Sequence, residues 1–397
     1  MRRLNKLLLV AGILLLFQCG AAAMSTEQVL YSFAGSDGSQ PSAGLVFDGS
    51  GNLFGTTQNG GAFGHGSVFE LTPAQAGGWT ETVLYSFGGG SDGSGPVSNL
   101  IFDNSGNLYG TTAYGGTYGA GTAYELIRSN GWSLETLWSF GSADGVLPEG
   151  GLAFDQHGNL YGTLDSGGTQ NAGAVFELIP HGGGWRAKLI HNFGGTHGAR
   201  PWAGVTVDAA GNVYGTTLYD GPGEVGEGTV FKLAPTGGKW TFSVIHNFNK
   251  GGGGGPFGGL ILDSSGNLYG TTYGEGSCQA TVYKLTPVAN DRWKLSVLHT
   301  FNGADGCQTY GPVTIDSAGN LYGATNSGGT NNAGTVFKLK LNAKGHYVRR
   351  TLYNFQGGTD GANPLFMGVV LDGSGNLYGT TVNGGASGLG AIFEVIP

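Results

Sequence analysis

Positive charge is scarce in this chain. Lysine and arginine number 18 of 397 residues, against 26 Asp and Glu. Three of the 18, Arg2, Arg3 and Lys6, fall in the first 23 residues, and without that segment the net charge is near −11. A chain this acidic has no electrostatic footprint for nucleic acid or anionic lipid, and the sequence contains no local cluster of Lys or Arg. Nucleic acid is therefore not expected as a partner.

Long apolar runs are also missing. The longest, Leu7 to Phe17, has 11 residues, whereas a helix that spans a bilayer needs about 20. Basic residues precede the run and the small residues Ala21 to Ala23 follow it, which is the pattern of a signal peptide. We therefore expect residues 1–23 to be a signal peptide, residues 24–397 to be secreted to the periplasm or the cell exterior, and no membrane span.

Glycine, in contrast, is abundant at 81 residues, and glycine plus proline reach 94. Such a proportion is close to the range of disordered chains. The hydrophobic residues nevertheless occur in short packets rich in Val, Ile, Phe and Tyr, with the glycines between them, as in β-strands joined by turns. The composition therefore predicts an all-β fold.

A motif close to Gly-Asn-Leu-Tyr-Gly-Thr-Thr occurs seven times. Successive copies begin 52 to 56 residues apart, with the Asn at Asn52, Asn107, Asn159, Asn212, Asn267, Asn320 and Asn376. A nearly constant period of this size is typical of solenoids and propellers. The number of strands per repeat decides between them.

Each repeat reads as four short strands, here called a to d. In the first complete unit they are predicted at Gly44–Asp48, Asn52–Thr57, Ser67–Leu71 and Thr82–Phe87. Strands a and b are joined by Asp-x-x-Gly-Asn in all seven copies, which is suited to a tight hairpin. Four antiparallel strands make one blade, so the sequence predicts a seven-bladed β-propeller that occupies residues 24–397 as a single domain.

The ends of this repeat array complement each other. Residues Gln28 to Phe33 resemble a d strand without a, b and c, and residues Ala391 to Val395 resemble a c strand without d. We expect the two segments to pair, because the pairing would close the ring and remove free sheet edges.

These motifs resemble the GloVer tandem repeat of secreted bacterial proteins. The resemblance covers residues 28–397, with Gly228–Leu233 and Gly334–Leu339 both reading GTVFKL, and Gly106–Thr112 and Gly375–Thr381 both reading GNLYGTT. It implies a propeller and export. The family carries no settled activity that could be transferred to this chain.

The two mature cysteines, Cys278 and Cys307, are expected to form a structural disulfide. By the repeat register, Cys278 lies just before strand c of the fifth blade and Cys307 just after strand d of the same blade. The start of one antiparallel strand lies beside the end of its neighbour, and export places both thiols in an oxidising compartment.

No metal and no cofactor are expected. The recurring His191, His246 and His299 share the d-strand position of Tyr31 in other repeats, so they should lie on three different blades, too far apart to share an ion. Each Asp-x-x-Gly-Asn turn offers a single carboxylate, which hairpin closure explains without calcium.

Residues that break the repeat are the candidates for ligand binding. Five prolines stand seven residues before the Asp that ends strand a, and the residue after each should point to the channel mouth; these followers are Ser42, Val97, Glu149, Trp202 and Phe257. Together with Arg200 and Asp220 on the same face, Glu149, Trp202 and Phe257 form the candidate site, where an aromatic flanked by charges would stack on and hydrogen-bond a sugar ring. The alternative is that Trp202 and Phe257 plug the channel.

The sequence predicts a secreted, monomeric binding module for a glycan or a protein ligand, with no catalytic residue assigned. A propeller-type hydrolase or lyase acting at the channel mouth is the first alternative, but fold alone does not transfer such chemistry. A structural spacer without a ligand is the second alternative.

Overall fold

A computed structural model describes residues 25–75, 77–129, 131–194, 196–219, 227–248, 254–274, 278–365 and 368–397. These residues form 28 strands in seven four-stranded antiparallel sheets. The predicted seven-bladed propeller is therefore confirmed. None of the described residues belongs to a helix long and apolar enough to cross a membrane.

The blades are numbered along the chain, and each holds strands a to d from the channel outwards. The strands are β1 (Thr26–Ser32); in blade 1 β2 (Val46–Phe47), β3 (Leu53–Thr57), β4 (Ser67–Pro73) and β5 (Trp79–Ser86); in blade 2 β6 (Ile101–Phe102), β7 (Leu108–Thr112), β8 (Thr122–Ser129) and β9 (Gly131–Ser139); in blade 3 β10 (Ala153–Phe154), β11 (Leu160–Leu164), β12 (Ala174–His181) and β13 (Gly184–Asn192); in blade 4 β14 (Thr206–Val207), β15 (Val213–Thr217), β16 (Thr229–Thr236) and β17 (Lys239–Asn247); in blade 5 β18 (Ile261–Leu262), β19 (Leu268–Thr272), β20 (Thr281–Val288) and β21 (Arg292–Thr300); in blade 6 β22 (Thr314–Ile315), β23 (Leu321–Thr325), β24 (Thr335–Leu341) and β25 (Tyr347–Asn354); and in blade 7 β26 (Val370–Leu371), β27 (Leu377–Thr381) and β28 (Ala391–Ile396).

Strand lengths differ from the sequence prediction in one consistent way. Strand a has only two paired residues in each blade, for example Val46–Phe47, where five were predicted. Strand d begins earlier than predicted, at Trp79 in blade 1, because the c–d hairpin continues its pairing from Pro73 to Trp79. The residues before strand a are therefore left to form the wall of the central channel.

The a–b hairpin is closed by its aspartate. In blade 1 the Oδ1 atom of Asp48 accepts hydrogen bonds from the backbone N–H of Ser50 at 2.8 Å and of Asn52 at 2.9 Å. Gly51 takes a φ of +86°, which favours glycine because other residues pay a steric penalty there. The corresponding Asn N–H bonds its Asp in all seven repeats. The carboxylates are thus used in turn formation, as the sequence suggested.

The Gly-Thr-Thr segment of strand b has two packing roles. A Cβ atom on Gly55 would lie 2.6 Å from the ring of Phe69 on strand c, so only glycine fits beneath that ring. The following threonine joins neighbouring blades: Thr271 donates its hydroxyl to the carbonyl of Gly311 in the next blade at 2.8 Å. The motif therefore serves packing within a blade and contact between blades.

The ring is closed by both ends of the chain. Strand β1 pairs antiparallel with β28, so that Gln28 faces Glu394. Across the closing interface, Thr380 of blade 7 donates to the carbonyl of Ala43 in blade 1 at 2.9 Å. The predicted pairing is confirmed, and blade 7 contains strands from both termini.

The core consists of seven apolar clusters, and each of them joins neighbouring sheets. At the closing interface, Phe33 of blade 7 packs edge-on against Phe69 of blade 1, with ring centroids 5.2 Å apart, and both side chains are fully buried. Each sheet is therefore covered on both sides. This arrangement leaves two faces: the mouth face, with the d–a and b–c loops, and the turn face, with the a–b and c–d hairpins.

Candidate functional site

The central channel opens on the mouth face into a cavity of about 300 Å³. Its walls are the residues in and just before strand a of successive blades, such as Leu100, Leu152 and Leu260. At its rim stand the side chains of Val97, Glu149, Trp202, Phe257 and Tyr310. The prediction that the residues after the prolines reach the channel mouth is met for Val97, Glu149, Trp202 and Phe257.

In blade 4, the proline before the rim residue Trp202 fixes the loop. Pro201 packs against Gly173 of the preceding blade so closely that a Cβ on this glycine would lie 2.5 Å from its ring. Beside it, Arg200 takes a φ of +58°. Its N–H donates to Ala172 at 3.0 Å, and its carbonyl accepts from Leu218 at 3.0 Å and from Trp202 at 2.9 Å. The backbone that presents the Trp202 side chain is therefore held from both sides.

Three aromatic side chains from blades 4, 5 and 6 form a row along the rim. The ring centroids of Trp202 and Phe257 are 5.0 Å apart, and those of Phe257 and Tyr310 are 4.9 Å apart. Behind them, Tyr273 stacks on Tyr310 at 5.9 Å. The rings of Trp202, Phe257 and Tyr310 are each half-buried. This aromatic row offers apolar surface to a ligand and lines the cavity.

Opposite charges meet beside the row, between blades 3 and 4. The Nη1 atom of Arg200 donates to Oδ2 of Asp165 at 2.5 Å and to the hydroxyl of Ser166 at 3.3 Å. The Asp165 side chain is 1% exposed, and that of Arg200 is 34% exposed. A buried carboxylate requires such a partner, since an unpaired one is costly. The guanidinium therefore screens Asp165 and remains reachable from the mouth.

Glu149 is the acid at the rim. Burial, and the nearby Asp165 carboxylate, raise the pKa of Glu149 to about 8 even though Arg200 acts in the opposite direction. Its Oε2 atom is buried and has no hydrogen-bond partner in the described part of the chain. At neutral pH the group is therefore mainly a neutral carboxylic acid, which both donates and accepts hydrogen bonds.

The comparisons with known proteins identify the repeat. The family described as the Gloeobacter/Verrucomicrobia repeat matches residues 15–226, 156–293 and 277–397. The chain belongs to this family. It is the GloVer repeat expected from the sequence, and no curated protein matches the chain.

Solved structures support the fold alone. The chain is similar to the BP39L lectin from Burkholderia pseudomallei, with 11% identity, a TM-score of 0.56 and coverage of 89% of this chain and 96% of that one. It is also similar to a putative 6-phosphogluconolactonase from Bacteroides uniformis, with 14% identity, a TM-score of 0.51 and coverage of 81% and 86%. Identities this low establish a shared propeller architecture and no shared activity.

Within this GloVer chain, the charged cluster is confined to one pair of blades. Asp165 directly follows strand b of blade 3, and none of the six other repeats has an acid at that position, which holds Gln58, Ala113, Leu218, Tyr273, Asn326 and Val382. Glu149 is likewise the only acid among the rim residues after the prolines. The repeat framework does not require these acids, so they distinguish this side of the mouth from the rest of the ring.

Two residues of the candidate site are not marked by the sequence motifs. Tyr310 occupies the rim position of blade 6, but Thr309 stands where the other blades have proline, so a search for the proline misses it; counting back from Asp316 would have found it. Asp165 gives no signal of its own, because its partnership with Arg200 joins residues 35 positions apart.

The remaining rim predictions have different outcomes. Ser42 is 1% exposed and does not line the cavity. Asp220 lies outside the described residues, as does most of the b–c loop of blade 4. The structure thus brings Glu149, Arg200, Trp202 and Phe257 to one side of the mouth, and the role of Asp220 stays a prediction.

The disulfide prediction is confirmed. Cys278 and Cys307 are bonded, with Cα atoms 4.5 Å apart and a sequence separation of 29. The bond ties the b–c loop of blade 5 to the connection that leads into blade 6, where the N–H of Cys307 donates to Ser327 at 2.8 Å. The bond therefore links two connecting segments on the mouth face.

The histidines of the d strands lie on three blades, as predicted. His191, His246 and His299 face Val175, Val230 and Val282 across their own hairpins. His191 stacks on Phe242 with ring centroids 3.9 Å apart, and burial lowers the pKa of His191 to about 4. The described residues hold no group of three or more His, Cys, Asp or Glu side chains that would suit a metal ion.

Proposed function

We propose that this chain is a secreted binding module that takes a glycan at the channel mouth. The observation that carries the proposal is the half-buried row of Trp202, Phe257 and Tyr310 over a cavity of about 300 Å³, with Glu149 at the same rim. Small-ligand sites are typically concave and apolar, with a few polar groups that fix orientation. Sugar rings have apolar faces that stack on aromatics and hydroxyls that need hydrogen-bond partners.

The polar groups suit a neutral sugar. With its raised pKa, Glu149 offers a protonated carboxyl at neutral pH, which donates to one hydroxyl and accepts from another. The guanidinium of Arg200, although bonded to Asp165, is 34% exposed and faces the same side. One structural neighbour is a lectin by name, but at 11% identity the likeness extends to the fold, so the proposal rests on these side chains.

Secretion is part of the proposal. The segment that resembles a signal peptide, residues 1–23, lies outside the described residues. Cys278 and Cys307 form a disulfide, and disulfides persist in oxidising compartments but are rare in cytosolic proteins. We expect the mature chain to begin at Met24.

A glycan array tests the ligand. We expect the wild type to bind a subset of neutral glycans, and Trp202→Ala to weaken that binding about tenfold, since stacking worth about 1.4 kcal/mol corresponds to that factor. Tyr118→Ala is the matched control, because Tyr118 is a 71% exposed aromatic on the same face but outside the cavity. Equal loss in both variants, or no binding by the wild type, would contradict the proposal; the latter result favours a spacer.

The enzyme alternative has one favourable observation, the carboxyl of Glu149 beside the ion-paired Asp165. Paired acids with different protonation states serve acid and base catalysis. However, Asp165 is 1% exposed and bonded to Arg200, so a ligand at the rim reaches only Glu149. Cleavage of a bound glycan by the wild type, detected by mass spectrometry and absent in Glu149→Gln, would favour a hydrolase or lyase over a binding module.

A further inference from the structure

The turn face carries a charged residue at one repeat position in every blade. It lies in strand c, and its sign changes only twice around the ring: it is Glu394, Glu70, Glu125 and Glu177 in blades 7, 1, 2 and 3, and Lys232, Lys284 and Lys338 in blades 4, 5 and 6. Because blade 7 adjoins blade 1, the acids and the lysines each occupy one unbroken arc. We call the lysine side the basic arc.

Packing does not require this choice of sign. In blade 3, the hydroxyl of Tyr161 donates to Glu177 at 2.9 Å. In blade 5, the equivalent Tyr269 has the Nζ atom of Lys284 over its ring, 5.3 Å from the centroid. Either charge covers the tyrosine of strand b, so the fold tolerates both. The separation of charge therefore needs a reason other than folding.

The whole chain follows the same division. Residues 201–354, which hold blades 4 to 6, contain 11 Lys and Arg against 9 Asp and Glu, whereas the remainder of residues 24–397 contains 4 against 17. Neither residues 24–127 nor residues 351–397, which include all of blades 7 and 1, contain any Lys or Arg. The lysines are about 50 residues apart in the sequence, which is why no cluster is visible there. In the ring they lie on three consecutive blades, at the same repeat position.

The basic arc contains a groove as well as charge. Between blades 5 and 6 lies a cavity of about 770 Å³, lined by Lys284, Ser296, Tyr269 and Tyr347 among others. Among the described residues, no carboxylate forms an ion pair with Lys284. Two acids line the groove wall, Asp263 and Asp316, and each is occupied by its own turn, where it accepts from the side-chain amide of Asn267 or Asn320 at 2.7 Å.

The equivalent groove outside the basic arc is different. Between blades 3 and 4 the cavity is about 320 Å³. Its strand-c residue is Glu177, which lies 3.9 Å from Lys188 and accepts from Tyr161. Local partners thus balance the charge of Glu177, and Lys188 and Lys239 also line this groove. The groove between blades 5 and 6 is larger, and its strand-c residue is a lysine instead of an acid.

We propose that the basic arc is a second binding site, for an anionic polysaccharide that carries carboxylate or sulfate groups. Lys232, Lys284 and Lys338 offer one cation per blade along a curved strip, and a flexible polymer with repeating charges follows such a strip. The groove beside Lys284 supplies serine and threonine hydroxyls and the half-buried ring of Tyr347 for a sugar unit. The site lies on the face opposite the channel mouth, and it does not depend on the glycan proposed there.

The probe is polygalacturonate, compared with uncharged dextran, with immobilised polymer and full-length mature protein. We expect binding to polygalacturonate only, weakening as salt rises because exposed charges are screened. The triple variant Lys232→Gln/Lys284→Gln/Lys338→Gln should bind at least about tenfold more weakly. The matched control is Glu70→Gln/Glu125→Gln/Glu394→Gln, which changes the same repeat position in the acidic arc and should not weaken binding.

A second variant guards against misfolding. Lys294 and Lys344 are exposed lysines, one in the strand next to the Lys284 strand and one in the turn beside Tyr347, so Lys294→Gln/Lys344→Gln should reduce binding without disturbing the lysines over tyrosine rings.

Equal binding by the lysine variants and the wild type would overturn the proposal. So would a wild-type dimer in sedimentation that both triple variants abolish, since the two arcs would then bind each other. Trp202→Ala should leave polygalacturonate binding unchanged, which separates this site from the mouth.

Discussion

Leu30→Asp is expected to lower the free energy of unfolding by about 4 kcal/mol and the melting temperature by roughly 5–10 °C. Leu30 lies at the bulge of β1, is 9% exposed, and packs in the cluster with Phe33, Phe69 and Ile392. A carboxylate there would be buried without a partner in the sheet that both termini build. Thermal unfolding followed by circular dichroism measures the effect.

The control for Leu30 is the same substitution at an exposed turn. Gln75 lies in the c–d turn of blade 1 and is exposed, so Gln75→Asp should change the melting temperature little. If both variants unfold at the same temperature, β1 contributes nothing to the closed ring, and the pairing with β28 loses its energetic importance.

Replacing both Cys278 and Cys307 with serine is expected to lower the free energy of unfolding by about 3.6 kcal/mol. The bond closes a loop of 29 residues in sequence, and a cross-link of that span removes unfolded-state entropy of this size on the loop-closure model. The loss should appear as a lower melting temperature in the same assay. It should not abolish glycan binding at the mouth, because neither cysteine lines the cavity.

Reduction provides the matching control for the disulfide. Dithiothreitol should lower the melting temperature of the wild type towards that of the serine variant and leave the serine variant unchanged. A serine variant as stable as the wild type would show that the cross-link is dispensable, and that the contacts of Cys307 with Ser327 hold the loop without it.

The fold could be predicted from the sequence because each repeat contains the motifs that define its own turns and strand pairing. The Asp-x-x-Gly-Asn turn sets the register of strands a and b, and the glycine beneath Phe69 sets the spacing of strands b and c. Seven copies, with incomplete units at the two ends, leave the closure by β1 and β28 as the arrangement without free edges. Strand bounds were less readable, because strand a is defined by two paired residues and strand d extends into the turn.

The site was only partly readable, for a physical reason. Proline marked the rim positions of Glu149, Trp202 and Phe257, since it fixes the local backbone. Tyr310 lacks that mark, and Asp165 acts through a contact with Arg200 that only the assembled blades create. The basic arc was hidden in the same way, because Lys232, Lys284 and Lys338 lie on consecutive blades of one face only when the ring forms. Local motifs predicted local structure, and contacts between blades needed coordinates.

Cross-linking of the two termini tests the closed ring, because the mouth face, the turn face and both proposed binding sites depend on the pairing of β1 with β28. Gln28 and Glu394 face each other in that pairing, so the variant Gln28→Cys/Glu394→Cys should form a disulfide spontaneously, seen as linked peptides in a non-reducing mass map. The pair Gln28→Cys/Glu125→Cys places the second cysteine at the same repeat position of blade 2 and should stay unlinked. Free thiols in the first variant, or equal linkage in both, would contradict the closed seven-bladed ring.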